Sequence, residues 1–459
     1  MHLPNRLHVP AILQTLQVVA DPVQFLDTCA QRYGDTFTTR VLGFNSPPVV
    51  FFGNPKALQD IFTAPAESFD FGKATHVFEP LMGKQSIILQ EGKAHQRQRQ
   101  LLLPPFHGDR MSTYGRTIAQ ITQEAIAHWQ PHATIAIHHL MPDITLQIIL
   151  QVVFGITPGQ RYTTLKRLLS RLLEDITQPA YSSLFFFPPL QLDLGKWSPW
   201  GNFKQRLAQI DRLIYAEIAE RRQQQDASKT DILSLLLSAK DATGAGMSDE
   251  ELRDQLVSLL LLGYETTAAS LTWAFYWIHS LPSVQSQLRA ELASLGHHPT
   301  PEQITQLPYL NALTQESLRL YPIALISMPR MLKVPLSIAS QEYPCGTVVI
   351  PCIYLAHQNP QTYPQPRQFQ PERFLARKFT PYEFLPFGGG SRGCIGAAFS
   401  LYEMKLILAT ILSHWQLQPL SNQPVKPVRR GITMVPAGGV SLRVVERVAH
   451  FQTPVAPSC

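Results

Sequence analysis

At 459 residues the chain is long enough for two or three average domains, or for one large enzyme fold. Charged residues make up only 16% of it, below the ~25% usual in soluble domains, and 45% is hydrophobic, so a large core is expected. The formal net charge of +6 comes without dense basic runs, which excludes a nucleic-acid-binding surface and is compatible with an acidic protein partner.

Near the N-terminus, the longest apolar-leaning stretch, residues 11–20, is interrupted by glutamines. A membrane span needs about 20 predominantly apolar residues. The expectation is a cytoplasmic protein that touches membranes at most peripherally. No repeat, low-complexity segment or linker divides the chain, so residues 1–459 are expected to form one domain, mostly α with small β-sheets. TFTTRVL (36–42) and PPVVFF (47–52) flank a turn-like GFNS and predict a hairpin. Residues 205–225 repeat apolar positions every three to four residues and predict a helix.

The most informative helix starts at Ser248, which forms a capping box with Glu251, and continues to about His279, before Pro282. It is apolar on most sides, so it must cross the core. Yet its centre carries Gly263, Glu265, Thr266 and Thr267. Glycine weakens a helix interior, a buried carboxyl is costly, and threonine bonds back to the preceding turn. Together they point to a functional groove, against the plainer alternative of a solvated kink. Downstream, Glu316 and Arg319 share one helix face, a spacing that usually makes a surface ion pair. Arg373 follows in a proline-rich loop. VPLSIA (334–339) and GTVVIP (346–351) predict a second strand pair around QEYPC, and residues 396–415 a last helix.

Five cysteines, an odd number with no CxxC spacing and no signal peptide, argue against a disulfide framework. Cys29, Cys345 and Cys352 read as small buried hydrophobes. Cys394 does not. It lies in FGGGSRGCIG (387–396), where five glycines let the backbone approach a bulky flat object closely.

That stretch is similar to the F-x-x-G-x-R-x-C-x-G pattern of the haem-thiolate cytochromes P-450, with Phe387, Gly390, Arg392, Cys394 and Gly396 in register. LGYETT (262–267) resembles the family's oxygen-activation motif, and Glu316, Arg319 and Arg373 its structural E-x-x-R plus arginine triad. GKAHQRQRQLLL places His95 and Arg99 where members bind haem propionates. The motifs occur in family order over nearly the whole chain. Stretches such as WSPWG and PYEFLPFGGG are similar to cyanobacterial members that oxidise fatty acids, alkanes or terpenes. Two departures stand out. Leu262 occupies a place commonly held by a small residue, which would narrow the pocket, and Asn359 replaces a commoner aspartate.

The resemblance implies the cytochrome P-450 fold, with the long central helix crossing over the haem and the Cys394 loop on its proximal side. It implies haem b (iron protoporphyrin IX), with Cys394 as axial thiolate and His95, Arg99, Arg330 and Arg392 toward the propionates. Gly263 would open the helix for dioxygen, and Glu265 and Thr266 would be the acid–alcohol pair that delivers protons. The implied activity is monooxygenation of a small hydrophobic substrate, a fatty acid, alkane or terpenoid. Residues 73–89, 183–201, 323–328 and 431–435 would form the pocket walls and an access lid at a membrane surface. No flavin or iron–sulfur motif is present, so electrons would come from a ferredoxin and its ferredoxin reductase, NAD(P)H acting only indirectly. A basic patch of Arg97, Arg377, Lys378 and Lys405 would receive the donor, and the chain is expected to be monomeric. Two other functions stay open: a haem-thiolate peroxygenase or hydroperoxide-rearranging enzyme, which commonly lacks the acid–alcohol pair, and a non-enzymatic haem carrier or gas sensor.

Overall fold

The computed structural model describes residues 3–42, 46–108, 110–178, 181, 184–185, 191–224, 229–296 and 299–448. Among the described residues helices dominate, and four small sheets are attached to them. The mostly helical class read from the sequence is the class observed.

The long helix runs from Asp249 to Ser280, 32 residues. Its start is the capping box: the Glu251 amide donates to Ser248 Oγ at 3.1 Å, and the Ser248 amide donates to Glu251 Oε2 at 2.8 Å. It ends where Pro282 opens the next helix. Leu252, Leu256, Leu260, Leu271, Trp273, Phe275 and Ile278 are all buried, so apolar side chains pack it on several faces. The helix stays continuous through Gly263.

Strands β1 (Thr36–Thr39) and β2 (Val49–Phe52) pair antiparallel, as expected. The second pair is different. With β3 (Phe69–Asp70), β4 (Thr134–Ala136), β5 (Arg330–Leu332), β6 (Leu336–Ile338), β7 (Gln341–Tyr343) and β8 (Val348–Pro351), β6 pairs with β7 and not with β8. The turn between them uses positive φ at both Ala339 and Ser340, the left-handed pair that tight hairpins need. β8 instead lies parallel to β2 and antiparallel to β5, inside the sheet β1-β2-β8-β5-β3. The cause is burial. All four residues of β8 are buried and need covering on both faces, whereas β6 becomes buried only at Ile338.

After the helix Ala397–His414 come β9 (Trp415–Pro419), β10 (Pro427–Arg430), β11 (Thr433–Pro436) and β12 (Ser441–Arg447). β12 joins β4 and β9, while β10 and β11 form a hairpin against the long helix. Trp273 Nε1 in that helix donates to Met434 O at 2.9 Å, and the Met434 amide donates to Ile323 O at 3.0 Å. No helix among the described residues is long and apolar enough to cross a membrane.

Candidate active site

Glu316 and Arg319 form no surface pair. Both are fully buried, with Arg319 Nε and Nη2 at 2.6 and 2.8 Å from the two Glu316 carboxylate oxygens. Arg373 Nε reaches Glu316 Oε1 at 3.1 Å, while Arg319 Nη1 donates to His357 O and Pro366 O, both at 2.8 Å. His357 in turn accepts from the Leu385 amide at 3.0 Å through Nε2. The buried ion pair therefore fixes the segment that leads into the cysteine loop.

In that loop the Cys394 amide donates to Phe387 O at 2.9 Å, and the final helix starts just beyond, at Ala397. Burial raises the Cys394 thiol, while the Gly396 amide and the Arg99 charge oppose that shift. Protein surrounds the loop, yet the Cys394 side chain is exposed; it opens onto a cavity of about 370 Å³. Phe387, Gly388, Gly393 and Gly396 also line it, and around Gly396 a Cβ would meet only open space. The glycines do not all serve that cavity. Gly390 has φ +67°, and a Cβ there would come within 2.9 Å of Phe62 O; a Cβ on Gly389 would strike the Phe62 ring. Phe62 dictates those two positions, a correction to the expectation that every glycine faces a flat ligand.

The opposite wall is the long helix, through Leu259, Leu262, Gly263, Thr266, Thr267 and Ser270, one face at spacings of three and four. Thr266 Oγ1 donates to Leu262 O at 2.6 Å, which leaves its lone pairs free to accept. Gly263 opens no gap in the helix; a Cβ there would meet Ile149 Cδ1 at 3.4 Å. Glu265 is not in the lining. Its Oε1 accepts from Thr433 Oγ1 at 3.1 Å, and burial raises its pKa against the opposing pull of Arg430 and Thr433.

Basic residues gather at the cavity's edge. Burial, helped by Arg392 and Arg99, pushes His95 down to about 4, so it is neutral near pH 7. Arg99 Nη1 donates to Gly393 O at 2.7 Å, and Arg392 donates to Ile87 O and Gln90 O at 3.0 and 2.6 Å. His95, Arg99 and Arg392 line the cavity, whereas Arg330 does not. Arg330 is buried against Phe62, Phe69 and Phe71, and its Nη2 lacks a hydrogen-bond partner. An orphaned guanidinium nitrogen is expensive, so this cluster fits an anionic group. A flat macrocycle bearing carboxylates meets that requirement, together with the thiol and open space at Cys394.

A scan against protein-family models matches residues 3–442 to Cytochrome P450. The chain belongs to the cytochrome P450 family. A Mycobacterium tuberculosis protein provisionally named cytochrome P450 135B1 is 33% identical over 446 residues, 97% of this chain and 92% of that one. Another from the same organism, provisionally named cytochrome P450 135A1, is 34% identical over 445 residues, covering 96% and 95%. Among solved structures, retinoic acid-bound cyanobacterial CYP120A1 superposes with a TM-score of 0.82 at 25% identity, over 97% of this chain and 99% of that one. The haem domain of cytochrome P450DA, at 22% identity and TM-score 0.83, has the same fold. Family membership implies haem iron and supports monooxygenase chemistry.

In this P450, Ile87, Ile88, Ile323, Ala324, Ile326, Ser327, Met328, Ile432 and Thr433 do line the cavity, as three of the expected wall segments required. The fourth, 183–201, falls partly outside the described residues. Its described part from Gln191 contributes nothing to the lining and exposes Leu192, Leu194 and Trp197. Of the expected basic patch, Arg97 is paired with Asp241 and Glu251 and Lys405 donates to Thr305 O, while Arg377, bridged to Glu383, and Lys378 remain exposed. Cys345 is exposed, not a buried hydrophobe, while Cys29 and Cys352 are buried as read.

The sequence reading missed Ile149 and Val153, which line the cavity from a π-helical turn. It also missed Glu403, in the cavity wall one turn beyond Ser400 on the final helix. Glu403 is buried, its Oε1 has no partner, and burial raises its pKa well above the ordinary carboxyl value. An acid inside an apolar helix was the available signal. The folded state holds a proton here that the unfolded chain releases above its ordinary pKa, so rising pH favours unfolding until the raised folded value is passed. Glu403→Gln removes that dependence. Thermal unfolding from about pH 5 to pH 8 should show the variant gaining on the parent as pH rises; parallel pH profiles would contradict this.

Proposed function

We propose that residues 1–459 act as one haem-thiolate monooxygenase unit: R–H + O₂ + 2 e⁻ + 2 H⁺ gives R–OH + H₂O. The observation that carries this is the opening of the Cys394 thiol onto a cavity whose far wall is Gly263 and Thr266. Haem b, when bound, supplies dioxygen activation and transfer of one oxygen atom to the substrate. Cys394 would be its thiolate ligand within the loop of Phe387, Gly390 and Gly396, with His95, Arg99 and Arg392 holding its carboxylates. Thr266 would present a hydroxyl that accepts and passes a proton, and Glu265 would supply it.

The substrate is a hydrophobic fatty acid, alkane or terpenoid. Support comes from the apolar lining of Ile88, Ile149, Val153, Leu259, Leu262 and Ile323, and from retinoic acid in the cyanobacterial neighbour. With no flavin or iron–sulfur motif in the sequence, the electron donor is a separate ferredoxin reduced by its NAD(P)H-dependent reductase. Spin-state titration of the haem protein with fatty acids, alkanes and terpenes tests the substrate class; tight binding of small polar compounds alone would refute it.

Thr266→Ala tests the proton route. Haem content and substrate-induced spin shift should stay near those of the parent. Product per NAD(P)H should fall and hydrogen peroxide per NAD(P)H should rise, because a positioned proton-transfer group contributes about 10²–10⁴-fold to the step it serves. Thr267, whose Oγ1 lies 3.2 Å from Ser400 Oγ, should matter less when changed to Ala. Unchanged coupling in Thr266→Ala would move oxygen activation to other groups.

A further inference from the structure

Residues 83–90 are neither helix nor strand, so their backbone polar groups need partners of their own. The first half of the long helix provides several. The Gln85 amide donates to Asp254 Oδ2 at 2.8 Å and the Ile87 amide to Gln255 Oε1 at 3.1 Å. Gln255 Nε2 donates back to Gln85 O at 2.5 Å. One side-chain amide thus answers a backbone donor and a backbone acceptor, as a neighbouring strand would. Ser86 Oγ lies 2.7 Å from Ser258 Oγ, and since Ser258 donates to Asp254 O at 2.6 Å, Ser86 is the donor of that pair. The approach is close. Gly83 has φ +84°, and a Cβ there would come within 2.1 Å of Asp254 Oδ1.

The helix side of this seam is itself held. Asp254 Oδ1 accepts from Arg253 Nη1 at 2.8 Å, and Arg253 Nε donates to Asp211 Oδ1 at 2.7 Å, on the helix Pro199–Gln224. Gln255 is fully buried, so hydrocarbon in its place would strand the Ile87 N–H and the Gln85 carbonyl. The segment's other atoms serve the cavity. Ile87 and Ile88 line it, and so do Gln255 and Ser258. Ile87 O and Gln90 O accept from Arg392 at 3.0 and 2.6 Å, with the guanidinium 4.5 Å over the Phe71 ring. The remaining Arg392 N–H donors are left for a carboxylate.

We propose that Gln255 is a positioning residue that registers segment 83–90 on the long helix. It thereby makes Ile87 and Ile88 a fixed cavity wall and sets the two carbonyls that aim Arg392. This rests on the haem-thiolate reading for the role of Arg392 and adds the residue that orients it. Substrate fit and the grip on the haem carboxylates are then tied to one amide side chain.

The test uses the haem-loaded protein. Gln255→Leu keeps the bulk and removes both hydrogen bonds. Backbone amide exchange should rise at 83–90 and stay unchanged in the Cys394 loop and the helix Pro308–Leu320. Transfer of haem to excess apomyoglobin should quicken about fivefold, the worth of one net hydrogen bond. Phenylimidazole, followed by the haem spectrum, should bind more tightly relative to imidazole, because the Ile87–Ile88 wall gives way. Ser86→Ala loosens the same seam from the other side and should move all three readouts in the same direction, which covers a Gln255 variant that fails to fold. A double-mutant cycle reads the coupling. Arg392→Lys keeps the charge but cannot fork to both carbonyls, and in that background Gln255→Leu should add little to the transfer rate. Additive effects would mean that Gln255 acts independently of Arg392, and would overturn the proposal. So would unchanged exchange at 83–90, or raised exchange with the transfer rate and ligand preference unmoved. A protein that takes up no haem would sink the haem-thiolate reading, while exchange in the two variants still decides whether Gln255 holds the segment.

Discussion

Cys394→Ser is expected to abolish the thiolate-type spectrum of the reduced carbonyl complex and with it all monooxygenase activity. Serine replaces sulfur with a hydroxyl that ionises far less readily, and thiolate donation is what favours O–O cleavage. The loop itself should survive. Its defining contacts are the Cys394 amide to Phe387 O, the Gly393 amide to Gly390 O, and the glycine packing against Phe62, none of which uses the sulfur. Haem content and circular dichroism therefore separate lost ligation from lost folding. Cys352→Ser and Cys345→Ser should keep the spectrum, because Cys352 is buried against Leu325 O and Cys345 is exposed beside Lys333 O. A thiolate spectrum surviving in Cys394→Ser would transfer the ligand to another residue.

Arg319→Ala should be the most destabilising single change outside the cysteine loop. It removes a bidentate partner from a fully buried Glu316 and strips donors from His357 O and Pro366 O. Arg373 remains, but it meets Glu316 through Nε alone and also serves other acceptors. Breaking one side of a buried ion pair costs about 3–5 kcal/mol, a large share of the ~5–15 kcal/mol that holds a typical protein folded. The loss should spread to the active site, since His357 holds the Leu385 amide two residues before Phe387. Low haem uptake and an early denaturation midpoint are expected. Arg319→Lys should recover part of the stability, because an ammonium cannot reproduce the forked contact. A midpoint within about 1 kcal/mol of the parent for Arg319→Ala would show that Arg373 alone can compensate for the Glu316 charge.

The long helix was legible because its signals are local. Capping box, apolar face and terminating proline lie within one segment, and the backbone follows them. The Glu316–Arg319 spacing was legible too, but its burial was not. A pair three residues apart is ordinarily solvated, and here the segment 357–373 folds over it. Arg97 was misread for the same reason: its carboxylate partner Asp241 lies 144 residues away, so it is an internal tie and no docking charge.

Thus the sequence by itself determined the family, the helical class, the cysteine that opens onto the cavity and the helix that faces it, because each rests on short-range chemistry or spacing. The tertiary structure alone decided that β8 pairs with β2, that Phe62 claims Gly389 and Gly390, that Glu403 stands unpaired in the cavity wall, and that Glu265 turns toward Thr433, 168 residues away. Those outcomes depend on which distant surfaces share buried space, and hydrogen bonds and packing in that space are settled only when the chain has closed on itself.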